Sequence, residues 1–175
     1  MTTIIMHETE DKVLIAFDSK VSGGGATNST SAQKVFVNTS ADVIIGVAGL
    51  ARAAYALRYA DLPVIDEHDW DVDRYVTMEL VPAINDEVNG YYNTEDSDDD
   101  TDYTHFLIVV RGRVYHIAAG CWTRNEDGLY GIGSGSGYAL GAYAAGAEIG
   151  EAVEIAADFD SGTGGDVTVW EVTSD

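Results

Sequence analysis

The sequence has 175 residues, 46% of them hydrophobic, and sets 30 Asp and Glu against 9 Lys and Arg for a net charge of −21. That length and apolar content support one substantial core, so residues 1–175 read as a single domain. The charge argues against nucleic acid as a partner, no run reaches the roughly 18 apolar residues of a membrane span, and no basic segment leads into an apolar leader. Cys121 is the single cysteine, which excludes an internal disulfide framework and fits a reducing, cytoplasmic compartment.

Acidic residues recur through 66–73, 95–102, 148–160 and the tail, the pattern of a solvated face rather than of one binding patch. The expectation is a salt-loving host, where ions screen the repulsion.

In chain order, residues 2–6, 12–17, 34–38 and 42–47 are short, β-branched runs that read as strands, two of them apolar enough to be covered on both faces. A helix follows Gly49 and stops before Pro63. A second carries Val72, Val76, Leu80, Ile84 and Val88 at every fourth residue, with a kink expected at Pro82. Residues 95–103 read as an exposed acidic loop. HFLIVV and RVYHIAA, separated by Arg111 and Gly112, read as a hairpin. A strand over 129–133, helices over 138–149 and 151–159 split near Gly150, and a last strand over 166–172 complete the pattern. Strand runs alternating with helix runs imply an α+β fold, with two stacked sheets inside and helices outside.

Thr2 and Thr3 open the first strand, Asp18 ends the second, and Lys34, one of three lysines, precedes the third. A strand-borne ammonium needs a partner, and Asp18 is the natural one. A threonine at a chain start has its own α-amine beside its hydroxyl, with an ordinary pKa of about 7.7–8.0, and that amine can act as its base. A lysine cation nearby favours both the neutral amine and a developing alkoxide. The bland alternatives are an ordinary first-strand threonine and a structural ion pair.

TTIIMHETEDKVLIAFDSKVSGGG resembles the opening of proteasome β subunits and of HslV-type peptidases, which are N-terminal nucleophile (Ntn) hydrolases. VIIGVAGLARAA is similar to their oxyanion-hole segment, GIGSGSGYALGAY to their glycine-serine turn before a helix, and DFDSGTGG to a turn near the active site. Together the four motifs span nearly the whole chain. The resemblance implies a four-layer αββα sandwich with Thr2 as nucleophile once Met1 is removed, Asp18 and Lys34 as its supporting pair, and Gly49 as oxyanion donor. Ser134, Asp160 and Thr163 would complete the hydrogen-bond shell, although Ser134 could instead be a helix N-cap and Asp160 a turn residue.

It also implies a threonine-type endopeptidase working as a homo-oligomeric ring on unfolded polypeptide, served by a separate AAA+ ATPase, with neither cofactor nor metal. Val21, Ala32, Phe36, Gly46, Leu50 and Ala54 would line the primary pocket, with Gly46 leaving its floor deep. Competing readings are an inactive proteasome-like structural or assembly protein, for example one carried in a virion, and an Ntn amidohydrolase acting on a small amide. His7, His68, His105 and His116 lie in separate elements without metal-ligand spacing and are expected to pack or to face solvent. Cys121 is expected to pack as a small hydrophobe, and Trp70, Tyr91, Tyr92 and Trp122 to serve core or subunit interface.

Overall fold

The computed structural model describes residues 2–23, 26–29, 33–68, 70–91 and 104–173. Strands β1 (Ile4–Glu8), β2 (Lys12–Asp18), β10 (Leu129–Ile132) and β11 (Val167–Thr173) form one antiparallel sheet in the order β10-β1-β2-β11. A second sheet, ordered β5-β6-β7-β8-β9, holds β5 (Val35–Asn38), β6 (Val43–Ala48), β7 (His105–Val110), β8 (Arg113–Ala118) and β9 (Cys121–Thr123). A separate hairpin pairs β3 (Lys20–Gly23) with β4 (Ala26–Ser29).

Period-two alternation explains the stacking, because each central strand feeds two cores. On β2, Val13, Ile15 and Phe17 face the layer between the sheets, while Leu14 and Ala16 pack against α4 (Ser136–Ala144) and α5 (Ile149–Phe159). On β6, Val43, Ile45 and Val47 face the other helical layer, which includes α1 (Ala51–Tyr59). The result is a four-layer αββα sandwich.

The long second helix forms in three parts: α2 (Val72–Tyr75), a π-helical stretch over Val76–Leu80, and α3 (Val81–Tyr91). Pro82 has no N–H to return to residue 78 and its ring crowds that turn. The chain responds by widening the preceding turn, and Val81 N–H donates to Val76 O. The distortion expected at Pro82 thus falls one turn earlier, as a π segment.

The α4/α5 break also differs from expectation. It lies at Gly146, whose φ is 106°, and Gly150 is inside α5. A Cβ on Gly150 would come within 2.9 Å of Val169 Cγ2, so that glycine lets the helix approach β11. The expected β7/β8 hairpin forms, with positive φ at both Arg111 and Gly112. The β3/β4 hairpin and β9 were not anticipated, since each is only three or four residues long. The acidic loop at 95–103 lies outside the described residues.

Candidate active site

The first and second strands build the centre of the site. Ile4 pairs with Phe17, and one step beyond that register Asp18 N–H donates to Thr3 O at 3.2 Å. Thr3 N–H donates back to Asp18 Oδ1 at 2.8 Å. Asp18 is fully buried, so its charge needs donors on both oxygens. Lys34 Nζ donates to Oδ1 at 2.6 Å, while Lys20 N–H and Gly164 N–H donate to Oδ2 at 3.2 and 3.0 Å.

Lys34 is held by its backbone as well, because its carbonyl accepts Val47 N–H at 2.9 Å. Burial pushes the Lys34 ammonium below its ordinary pKa, and the charge and hydrogen bond of Asp18 only partly oppose this. Lys34 is therefore a lysine whose proton is easier to release than that of an exposed one.

A second cluster closes on Thr3 from the far end of the chain. Thr163 Oγ1 donates to Asp160 Oδ2 at 2.6 Å, and Ser134 Oγ donates to the same oxygen at 2.8 Å. Because the Thr163 proton is committed to Asp160, Thr3 must be the donor in the 2.5 Å contact between Thr3 Oγ1 and Thr163 Oγ1. Burial pushes the Asp160 carboxyl up, but hydrogen bonds from Thr163, Ser134 and Gly162 N–H outweigh it and hold the pKa below the ordinary value. Ser134 lies ahead of α4, whose N-cap is Gly135, so its hydroxyl serves Asp160 rather than capping the helix.

Two glycines make room for this. Gly133, with φ of 93°, lies against the Thr2 carbonyl, and a Cβ there would collide with that oxygen. A Cβ on Gly135 would strike Thr163 Oγ1 and Thr3 Oγ1 and come within 2.9 Å of Asp160 Oδ2. Gly49, with φ of 127°, forms the turn between β6 and α1, a conformation that glycine alone adopts easily.

Of the residues expected from the sequence, Asp18, Lys34, Ser134, Asp160 and Thr163 gather around Thr3, the neighbour of the buried Thr2. Thr3, named beside Thr2 at the start of the first strand but given no role, carries the contacts that join the two clusters. It is fully enclosed and its hydroxyl is bonded, which suits it to support rather than to attack.

The expected pocket lining is not brought together in the same way. Phe36, Leu50 and Ala54 share the helix-facing core, whereas Gly46 pairs with Val35 and faces the inter-sheet layer. A Cβ on Gly46 would lie 3.2 Å from Met6 Cε and 3.4 Å from Ile4 Cδ1, so those side chains already occupy the space expected to deepen the pocket. Val21 is half-buried on β3 and Ala32 lies outside the described residues.

Two histidines expected to be separate meet across the β7/β8 hairpin, with His105 Nδ1 and His116 Nε2 at 3.0 Å. Their ring centroids are 5.3 Å apart, so the two nitrogens lie on the line between the rings. That is the geometry of one shared proton. Because the two nitrogens face each other, a metal in line with both would need about 4.0–4.2 Å between them, more than the 3.0 Å present. Among the described residues, no group of three or more His, Cys, Asp or Glu is arranged to hold a metal ion. Cys121, expected to pack, is exposed.

The four-layer sandwich, with β1 inside one of its two sheets, is the fold of the Ntn hydrolases of the HslV and proteasome type. The chain is 27% identical over 155 residues to the ATP-dependent protease subunit HslV of Paramagnetospirillum magneticum, spanning 81% of this chain and 72% of that protein. Thiobacillus denitrificans BPH superposes with a TM-score of 0.71 at 21% identity over 99% of this chain and 98% of that one, and its structure in complex with epoxomicin gives the same TM-score. Eukaryotic HslV from Trypanosoma brucei gives 0.67 at 20% identity over 98% of this chain and 99% of that one. No protein-family model matches. Among the described residues, no helix is long and apolar enough to cross a membrane.

Proposed function

We propose that the protein is a threonine-type endopeptidase subunit of an HslV-like assembly, with Thr2 as nucleophile once Met1 has been removed. The observation that carries this is the Asp18 carboxylate. Its Oδ1 accepts both Lys34 Nζ and the Thr3 amide, which tethers the ammonium one residue from Thr2.

In this reading the α-amine of Thr2 takes the hydroxyl proton as Oγ1 attacks the scissile carbonyl carbon. The Gly49 N–H stabilises the oxyanion, and the protonated amine passes its proton to the departing peptide nitrogen as the C–N bond breaks. Water then hydrolyses the Thr2 ester. Lys34 keeps the amine neutral at rest, Asp18 holds Lys34, and the Ser134, Asp160 and Thr163 cluster fixes the chain start through Thr3. The similarity to HslV supports assembly as a homo-oligomeric ring served by a separate ATPase and acting on unfolded polypeptide.

The test is the intact mass of the purified protein, followed by turnover of fluorogenic peptides by wild type, Thr2→Ala and Thr2→Ser. The expected results are loss of Met1, no turnover by Thr2→Ala with assembly unchanged, and residual turnover by Thr2→Ser. Retained Met1 with no turnover would instead favour a structural or assembly role. Turnover of small amides but not of peptides would point to an amidohydrolase.

A further inference from the structure

The turn that would supply the oxyanion donor is held from outside its own segment. Gly49 sits between Ala48, the last residue of β6, and Leu50, the N-cap of α1. Leu50 has no side-chain oxygen with which to cap the helix, and Gly49 is in a backbone region where a glycine is free to move.

The neighbouring strand restrains both sides of it. Ala48 pairs with His105, the first residue of β7. One position earlier, Thr104 stands across from Gly49 and is buried, and its Oγ1 accepts the Leu50 N–H at 3.4 Å. Gly49 is thus gripped between a ladder pair on one side and a hydroxyl on the other.

A planar peptide transmits that grip. Holding the Leu50 N–H fixes the plane of the Gly49–Leu50 peptide. Holding Ala48 in the ladder restrains the peptide before it, whose N–H belongs to Gly49. Without the hydroxyl, only one of the two planes remains anchored, and a glycine at φ of 127° can rotate between them.

We propose that Thr104 is a positioning residue that aims the Gly49 N–H at the oxyanion, reaching the reaction through Leu50 rather than by touching substrate. The proposal rests on the peptidase reading given above. A donor misaimed by a fraction of an ångström loses its worth in the transition state while leaving substrate binding almost unchanged. The effect belongs in kcat, not in KM.

The experiment compares wild type, Thr104→Val and Thr104→Ser in the assembled protein, measuring kcat, KM, melting temperature and hydrogen exchange at the Leu50 amide. Valine keeps the shape and removes the acceptor, whereas serine keeps the acceptor. Thr104→Val is expected to lower kcat about 10- to 100-fold with KM within about twofold. Exchange at Leu50 should quicken in the same variant, and Thr104→Ser should recover most of both. Wild-type kcat in Thr104→Val, or Thr104→Ser no better than Thr104→Val, would overturn the proposal. A fall in melting temperature with kcat unchanged would reduce Thr104 to a packing residue. If wild type itself turns over no peptide, the peptidase reading has failed, while the Leu50 exchange rates still report whether the hydroxyl grips the turn.

Discussion

Lys34 Nζ lies 2.6 Å from Asp18 Oδ1, and both side chains are almost completely withdrawn from solvent. Taking two charges out of water is costly, and breaking such a pair by removing one partner leaves the other uncompensated, at about 3–5 kcal/mol. Lys34→Ala should therefore both destabilise the protein and abolish turnover. Lys34→Met, which keeps the aliphatic stem, should also abolish turnover, and Asp18→Asn should restore some melting temperature to that variant by removing the stranded charge. Thermal melts and turnover on the same preparations check this, and full activity in either Lys34 variant would contradict the role assigned to Lys34.

Gly135→Ala tests the cluster that joins Thr3 to Asp160. The added methyl would meet Thr163 Oγ1, Thr3 Oγ1 and Asp160 Oδ2 together, so the contacts must separate. Turnover should fall by at least about tenfold, in line with misplacement of a catalytic group. Gly137→Ala on the same helix meets nothing within 4 Å and should be neutral, which makes it the matched control.

The histidine pair predicts a pH dependence of stability. Burial, and then the neighbouring His105, pushes His116 below the ordinary histidine value. The unfolded chain then binds more protons than the folded one between the folded pKa and about 6.5, so stability falls as pH drops through that window. Melting temperature measured from pH 7.5 to 5.5 should decline less steeply in His116→Gln than in wild type. Parallel curves would show that the pair carries no such linkage.

A charge of −21 on 175 residues should repel strongly until screened. Melting temperature and assembly are expected to rise between dilute buffer and molar KCl. Identical melts in the two solutions would remove the salt-loving reading of the composition.

Cleavage preference should favour large apolar residues before the scissile bond. None of the residues that the resemblance assigns to the primary pocket carries a charge, so a charged side chain entering it would be desolvated without a partner. Fluorogenic peptides ending in Leu, Tyr, Arg or Glu separate the cases, with faster release after Arg or Glu as the contrary result.

Much of the architecture was legible because it rests on local pattern. Two nearly continuous apolar runs among the first four strands already call for cover on both faces, and the fourfold spacing from Val72 to Val88 already calls for a helix. The resemblance carried by TTIIM, FDSK, KVFVN, VAGL, GSGSG and DFDSGTGG names Thr2, Asp18, Lys34, Gly49, Ser134, Asp160 and Thr163 as the site to test. What pattern does not encode is the partner of a hydroxyl or ring nitrogen that lies far along the chain. Thr3 and Thr163 meet over 160 positions of sequence, and only the closure of β11 onto β2 brings the loop ahead of it to the chain start. His105 and His116 become a pair because the hairpin register sets them diagonally across two strands. Gly46 faces Met6 and Ile4 because strand alternation and the stacking of the second sheet choose its side, and a residue without a side chain leaves no hydrophobic signal from which that side could be read.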